Sequence, residues 1–198
     1  ARSVGKNHGS AKNRNIFMAT YIMKKDLFIE LVQKAHKLSS MYTLADIVSA
    51  ECEELDVRGI SHRGYFASIT DFKSYYDANM SLIDYKSVLC RDEEGCAIYT
   101  RTNDSCPTKY LETASVKSSV VSNGCLIEGT IENSILGRGC VVKPGAVVKN
   151  CVVFPGVVIA ENVHLENLVV DRRAQVIHAK EIIAPADHPG YIKREDTL

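Results

Sequence analysis

The chain has 198 residues, with 24 Lys and Arg against 24 Asp and Glu, so its formal net charge is zero. Neutrality excludes bulk electrostatic attraction to nucleic acid or to an anionic membrane, and we expect neither partner. Because the sequence lacks both an apolar stretch of about 18 residues and a secretion-type N-terminus, we expect a cytoplasmic protein. The seven Cys form no Cys-x-x-Cys pair, which argues against a disulfide framework and structural zinc.

Composition divides the chain into two differently built regions. Fifteen of the twenty Val fall in residues 113–184, whereas eight of the nine Tyr precede residue 113. The N-terminal stretch carries four basic and no acidic residues, as is typical of an exposed terminus. We predict a basic loop or terminus over 1–15, a partial α/β segment over 16–88, a connector over 89–113, a parallel β-helix over 114–184 and a C-terminal tail over 185–198.

The segment 16–88 is interpreted as a strand, two helices, a short strand and a third helix. The apolar run Ile16–Met23 predicts a buried strand, and apolar residues on one face predict a helix over Lys24–Lys37. Thr43 with Asp46 resembles a capping box that opens a second helix, and a third begins near Thr70 or Asp71. These elements are too few to close a nucleotide-binding sheet, so they indicate only part of an α/β layer. The connector is expected to hold a short strand around Ile98.

From residue 136 onward, aliphatic residues return in steps of six, six and five, which sum to a period of seventeen. A six-residue step fits neither a helix of period 3.6 nor a hairpin meander, whereas three short strands per turn make a triangular parallel β-helix. The recurring aliphatic residues are Leu136, Val142, Val148, Val153, Ile159, Leu165, Val170, Val176 and Ile182. The fold is therefore predicted to be mainly β, and the first six of these residues, Leu136 to Leu165, are predicted to point inward.

Pentads recur with the same period and place Asn133, Asn150 and Asn167 at equivalent positions. Stacked coils lie about 4.8 Å apart, so the three amides should form a ladder. A fourth pentad, 116–120, comes only fifteen residues before its successor, which we explain by a rung trimmed by two residues at Ile127–Thr130. Small residues should fill the crowded interior: Cys125, Cys140, Ala146 and Ala174. The two cysteines among them are therefore expected to be structural core thiols.

Six sequence segments in this order resemble the C-terminal half of glucose-1-phosphate adenylyltransferase, also called ADP-glucose pyrophosphorylase. The resemblance runs from about Asn15 to the end of the coils, and it implies that the hexapeptide β-helix is left-handed and follows an incomplete nucleotidyltransferase-like segment. The segments are Asn15–Tyr21, Gly64–Phe66, Ser74–Met80, Cys106–Tyr110, Ser122–Cys125 and Glu132–Ser134.

The chain departs from the family at the positions that carry the chemistry. Catalytic members resemble Ser-Met-Gly-Ile-Tyr at the sugar-phosphate strand, where this chain has Phe17 for the Ser and Ala19 for the Gly. The metal-binding carboxylate of the motif before the third helix is replaced by Ser68. Nucleotidyl transfer depends on a carboxylate-held divalent ion, so Ser68 cannot do the same electrostatic work. These positions are therefore degenerate, and we expect no catalytic residue and no metal site here.

The substitutions resemble the GlgD-type regulatory subunits of this family. The resemblance implies a non-catalytic regulatory or assembly subunit that works with the catalytic subunit, which makes ADP-glucose from ATP and glucose 1-phosphate for glycogen biosynthesis. It also implies self-association through the β-helix. Mg²⁺ is expected for the family's reaction but not as a cofactor of this chain. Arg101 and Lys109, near the segment junction, are candidate ligands for a phosphorylated or anionic effector, although two exposed basic residues are ordinary on a connector.

Two other functions remain open. A full-length chain could still be an active adenylyltransferase that tolerates the changes. The coils also occur in hexapeptide acyltransferases, whose general base is a His between subunits; the candidates here are His164 and His178, fourteen residues apart and so out of step with the seventeen-residue period. A metal-dependent hydratase of this fold would need three His from neighbouring coils.

Overall fold

The structure is a computed structural model that describes residues 17–38, 41, 43–62, 65–84 and 103–198. It divides into two compact units, Ala1–Arg63 and Gly64–Leu198. Within the described ranges, every helix is too short or too polar to cross a membrane. The N-terminal basic loop and the strand expected around Ile98 lie outside the described residues.

The described part of the first unit contains two helices, α1 (Lys25–His36) and α2 (Leu44–Ala50). The predicted capping box is confirmed, because the Thr43 hydroxyl accepts from the backbone N–H of Asp46 and the Asp46 carboxylate accepts from the backbone N–H of Thr43. The apolar faces of the two helices meet in a small core whose fully buried members are Leu31, Ile47 and Val48.

The predicted strand Ile16–Met23 is wrong over the described residues 17–23, which form no strand. Phe17 and Ile22 are exposed, at 45% and 87%. A strand needs a neighbour to pair its backbone N–H and C=O groups, and the described part of this unit offers only helices. The apolar composition of this run is therefore not sufficient to make a strand.

The second unit begins with α3 (Phe72–Met80), which starts close to the predicted position and continues as a 3₁₀ turn over Ser81–Ile83. Its N-cap is Asp71, whose carboxylate accepts from the backbone N–H of Ser74. Over residues 103–198, which the structure describes without a gap, fifteen short strands follow, at Lys109–Tyr110 (β1), Ser115–Lys117 (β2), Val120–Val121 (β3), Leu126–Ile127 (β4), Thr130–Glu132 (β5), Ile135–Leu136 (β6), Val141–Val142 (β7), Val147–Lys149 (β8), Val152–Val153 (β9), Val158–Ile159 (β10), His164–Glu166 (β11), Leu168–Val170 (β12), Gln175–Val176 (β13), Glu181–Ile183 (β14) and Gly190–Ile192 (β15).

The strands form a three-sided parallel β-helix, as predicted. Every third strand pairs, so each side is a five-stranded parallel sheet. The first sheet has the order β1-β4-β7-β10-β13, the second β2-β5-β8-β11-β14 and the third β3-β6-β9-β12-β15. Among the described residues, strand pairing runs from Lys109 to Ile192, beyond the 114–184 expected from the period.

The register follows the period read from the sequence. Val141 pairs with Val158, seventeen residues on, whereas Leu126 pairs with Val141, fifteen residues on. The shorter coil turns the corner between β4 and β5 with only Glu128 and Gly129. A Cβ on Gly129 would lie 2.5 Å from the carbonyl oxygen of Ala146, so only glycine permits this tight corner against the next coil.

The last coil is longer than the others. Leu168 pairs with Gly190, twenty-two residues on, so five extra residues are accommodated between β14 and β15. Beyond β15 the chain returns to the first sheet, where the backbone N–H of Gln175 donates to the Asp196 carbonyl and the N–H of Leu198 donates to the Gln175 carbonyl. Part of the predicted tail is thus hydrogen-bonded to the coils.

The core runs as one column along the inside of the β-helix. The six residues predicted to point inward, from Leu136 on β6 to Leu165 on β11, are at most 2% exposed, which confirms the predicted inward face. Cys125 and Cys140 lie in this column, at 2% and 0% exposure, as predicted for structural thiols. Burial raises the pKa of the neighbouring core thiol Cys151 to about 12.

The asparagine ladder is confirmed. Nδ2 of Asn133 donates to Oδ1 of Asn150 at 2.7 Å, and Nδ2 of Asn150 donates to Oδ1 of Asn167 at 3.1 Å. Nδ2 of Asn167 ends the ladder on the Ala184 carbonyl at 2.8 Å. All three residues have positive φ, between 45° and 57°, a conformation that Asn tolerates better than most residues. One residue type thus turns the corner and links successive coils.

Candidate functional site

Helix α3 covers part of the outer face of the third sheet. Val152 and Val169 point outward from β9 and β12, and they are buried at 3% and 1% exposure because Tyr76 of α3 packs on them. The Tyr76 hydroxyl donates to the backbone carbonyl of Asn150 at 2.6 Å. Burial raises the pKa of Tyr76 to about 12, so this group remains a neutral donor across the physiological range.

Beside this contact, α3 and the third sheet line a solvent-open cleft of about 500 Å³. Its walls are mainly aromatic and its far side is polar. The Phe72 ring meets the Tyr191 ring edge-on at 5.9 Å and stacks on the Tyr75 ring at 6.5 Å. The lining residues are Phe72, Tyr75, Phe154, Val169, Asp171, Arg172, Tyr191 and Arg194.

Asp171 organises the polar side of the cleft. Its Oδ2 accepts from the Tyr191 hydroxyl at 2.7 Å, and its Oδ1 accepts from the backbone N–H of Arg172 at 2.6 Å. The hydrogen bond from Tyr191 holds the pKa of the Asp171 carboxyl below its ordinary value, and the positive charges of Arg172 and Arg194 act in the same direction. The carboxylate therefore stays ionised and fixes the position of the tyrosine ring.

The long last coil places these residues. Gly190 opens β15, where a Cβ would lie 2.6 Å from Cδ2 of Leu168, so a glycine lets β15 approach β12 closely. The next residue, Tyr191, then points outward into the cleft, and Arg194 follows at the turn after β15. Glu195 lies beside Arg194, with Nε and Oε1 3.5 Å apart, and therefore offsets part of its charge.

The arrangement suits a small anion that carries a ring. Aromatic side chains provide flat apolar contact area, and a guanidinium matches the geometry of a phosphate or a carboxylate. Arg172 and Arg194 supply two positive charges at the cleft, and the carboxylates of Asp171 in the lining and Glu195 beside Arg194 offset part of them.

Two of the degenerate positions lie in the first unit. Phe17 is 45% exposed, and its ring lies edge-on to that of Tyr21 at 4.9 Å. Ala19 has a φ of 53°, in the left-handed region, where a glycine carries no steric cost. The residue that the resemblance expects at position 19 thus fits this backbone better than the alanine present.

The third degenerate position, Ser68, lies in the second unit, in the exposed segment without secondary structure that leads to α3. A single hydroxyl does not fit the role of a magnesium-holding carboxylate. Across the described ranges, no group of three or more His, Cys, Asp or Glu side chains has a metal-binding arrangement.

Of the two predicted effector residues, the structure describes only Lys109, so their pairing stays a prediction. Lys109 is exposed on β1, in the first sheet and the first coil, whereas the cleft lies on the third sheet and reaches the last coil. Arg101 lies outside the described residues.

The two histidines weighed for an acyltransferase lie on different sides of the β-helix. His164 points outward from β11 in the second sheet, with Nδ1 3.4 Å from a Glu181 carboxylate oxygen and Nε2 3.7 Å from one of Glu166. His178 follows β13 of the first sheet, and its backbone N–H donates to the Leu198 carbonyl at 2.6 Å. Their positions give no shared catalytic geometry.

Sequence reasoning missed the cleft residues Asp171, Arg172, Tyr191 and Arg194. The last two fall in the segment predicted to be a tail, where the five-residue insertion hides the period. One signal was available: Tyr191 is the only tyrosine after residue 112. An isolated aromatic in an aliphatic stack indicates a position that packs outward.

Comparisons with known proteins agree with this architecture. A family model described as GlmU-like, C-terminal hexapeptide matches residues 106–188. The chain is 34% identical over 177 residues to the glycogen biosynthesis protein GlgD of Bacillus subtilis, which covers 88% of this chain and 50% of that protein. It is 28% identical over 137 residues to GlgD of Geobacillus stearothermophilus, covering 69% and 40% respectively.

A third relative is the glucose-1-phosphate adenylyltransferase of Thermodesulfovibrio yellowstonii, 24% identical over 182 residues, with 84% of this chain and 44% of that protein covered. The chain thus spans about half the length, or less, of these relatives. Over most of its length the chain is a relative of the GlgD glycogen biosynthesis proteins and the glucose-1-phosphate adenylyltransferases, and its coils are the left-handed hexapeptide β-helix of such proteins.

Proposed function

We propose that this chain is part of a non-catalytic regulatory or assembly subunit of a glucose-1-phosphate adenylyltransferase. That enzyme makes ADP-glucose from ATP and glucose 1-phosphate for glycogen biosynthesis. The proposal is supported by Ser68, which stands where the family resemblance implies a metal-binding carboxylate, in a chain whose relatives include GlgD proteins. The cytoplasmic location expected from the sequence remains a prediction.

The role of the coils follows from the same reasoning. A β-helix offers flat, rigid outer faces, and rigid elements hold an interface with little loss of conformational entropy. We propose that these faces contact the catalytic subunit and further copies of the chain. Mg²⁺ belongs to the catalytic subunit in this proposal.

The regulatory part of the proposal concerns a phosphorylated or otherwise anionic effector. The cleft beside α3 supports this better than the exposed Lys109 does, because it combines Arg172 and Arg194 with aromatic walls. Arg101 and Lys109 remain candidates, since both lie in the predicted connector, where an anionic effector could bind.

The test of catalysis is an assay of pyrophosphate release from ATP and glucose 1-phosphate with Mg²⁺. We expect no turnover from the chain alone, and none from the Phe17→Ser, Ser68→Asp double variant, because the variant restores two side chains but not a nucleotide-binding site. Turnover by the unmodified chain that depends on both Mg²⁺ and glucose 1-phosphate would contradict the proposal and favour an active adenylyltransferase.

The test of regulation uses the catalytic subunit from the same organism. Size-exclusion chromatography should show a complex, and the activity of that complex should respond to phosphorylated sugars differently from the catalytic subunit alone. Arg172→Ala and Arg194→Ala should reduce this response, and Lys109→Ala serves as the comparison. A response that depends on Lys109 but on neither arginine would move the effector site to the connector.

A further inference from the structure

The outer face of the second sheet carries a row of alternating charges, here called the charge ladder: Lys117, Glu132, Lys149 and Glu166. The four residues occupy the same register position on β2, β5, β8 and β11, and each is the direct neighbour of the next. Lys117 and Glu132 are exposed, and the side chains of Lys149 and Glu166 are 43% and 23% exposed. At about 4.8 Å per coil the ladder extends over roughly 14 Å.

Within the ladder, Lys149 and Glu166 form a loose ion pair. Nζ of Lys149 lies 3.9 Å from Oε1 of Glu166, and exposed pairs of this kind contribute little to stability. The next outward row on the same sheet contains Ser115, Thr130, Val147 and His164. Only His164 among them is large, so a second flat surface can approach the charged row closely.

An alternating row of four charges is self-complementary in one orientation only. Consider two copies face to face, related by a two-fold axis that is parallel to the strands and passes between β5 and β8. The order of the coils is reversed, so Lys117 meets Glu166 of the second copy and Glu132 meets Lys149 of the second copy. With the axis along the stack instead, each residue meets its own kind, and all four contacts are repulsive.

We propose that two copies of this chain associate through the charge ladders, with their β-helices antiparallel. Charge complementarity selects the orientation, while the flat face between the ladders excludes part of the solvent. This inference specifies the self-association included in the proposed function and depends on that part of it alone. Since the contact is mainly ionic, the dimer should be weak and should dissociate as salt is raised.

The test is sedimentation of the 21.9 kDa chain over a concentration series at low and at high salt, with three variants. Glu132→Lys and Lys149→Glu each convert the two central contacts between copies from attractive to repulsive, and each should weaken dimerisation at least about tenfold. The double variant Glu132→Lys, Lys149→Glu makes these contacts attractive again. It should dimerise within about threefold of the unmodified chain.

The three variants are matched within the monomer. Each of them creates two neighbouring pairs of like charge in the ladder, so their thermal melts should agree. Any difference in dimerisation among the three variants then comes from the contact between copies. Lys193→Glu, an exposed residue after β15, changes the net charge as Lys149→Glu does but lies outside the ladder. It should leave the dissociation constant unchanged.

Two results would overturn the proposal in distinguishable ways. A chain that stays monomeric at low salt and high concentration contradicts self-association itself, and with it that part of the proposed function. A chain that dimerises while the double variant behaves no better than the single ones, or while Lys193→Glu weakens the dimer equally, contradicts this face and orientation but leaves self-association standing.

Discussion

Asn150 is the central member of the asparagine ladder, and its replacement measures what the ladder contributes. Asn150→Ala removes one accepted and one donated side-chain hydrogen bond, each worth about 1 kcal/mol net. It also places an alanine at a φ of 50°, which costs about 1 kcal/mol more. The free energy of unfolding should therefore fall by about 3 kcal/mol.

Two companion variants separate the contributions. Asn150→Gly loses the same hydrogen bonds but accepts the positive φ, so it should be about 1 kcal/mol less destabilising than Asn150→Ala. Ser118 turns the equivalent corner one coil before Asn133, with a φ of 46° and no amide. Ser118→Ala should therefore change the stability by less than about 0.5 kcal/mol.

The measurement is equilibrium urea unfolding, followed by the far-ultraviolet circular dichroism of the β-structure. An Asn150→Ala midpoint that coincides with that of Ser118→Ala would refute the claim that the amides link the coils. Equal effects of Asn150→Ala and Asn150→Gly would instead show that the backbone conformation contributes nothing.

Three further predictions concern the core and the helix contact. Val148→Asp should unfold the coils because Val148 is fully buried, whereas Lys149→Asp should cost no more than about 1 kcal/mol; equal thermal melts would contradict the inward assignment. Tyr76→Phe should cost about 1 kcal/mol at pH 7, because it removes the hydrogen bond to the Asn150 carbonyl. Folding raises the pKa of Tyr76 from 10.0 to about 12, so ionisation of Tyr76 should destabilise the unmodified chain between pH 10 and 12 but not the variant; thermal melts of both across that range check it. Cys151, with its pKa raised to about 12, should resist a thiol reagent that labels the exposed Cys106, and equal labelling by mass spectrometry would contradict its burial.

The β-helix could be predicted from the sequence because its period is imposed by physical stacking. Each coil must place an aliphatic side chain over the one below, so the spacing of Val142, Ile159 and Val176 is also the register of β7, β10 and β13. Even the trimmed corner at Gly129 appears in the sequence as a step of fifteen. A long repeat makes such reasoning reliable, since each coil tests the assignment of the previous one.

The segment before the coils was less predictable. An apolar run such as Ile16–Met23 predicts a strand by composition, but pairing depends on a neighbour that local sequence does not specify. The capped helices were predictable, because Thr43 and Asp71 form their hydrogen bonds within the next three residues.

The cleft could not be predicted, for a different reason. Outward residues such as Val152 and Val169 look the same in sequence whether solvent or a helix covers them, and only the contact with Tyr76 distinguishes the third sheet. The insertion in the last coil then removes the spacing that would have aligned Tyr191 with β12. Both features depend on contacts between distant parts of the chain.

The unequal coils have a consequence for how this kind of chain can change in length. Coils of fifteen, seventeen and twenty-two residues stack in one continuous core, and the differences are confined to the corners after β4 and after β14. Each coil contacts mainly the one above and the one below, as in other solenoids. Removing a whole period, such as residues 141–157, should bring β10 against β4 with the aliphatic column unbroken. The height of the stack is thus variable in whole coils, while residues added at a corner alter only the surface at that corner.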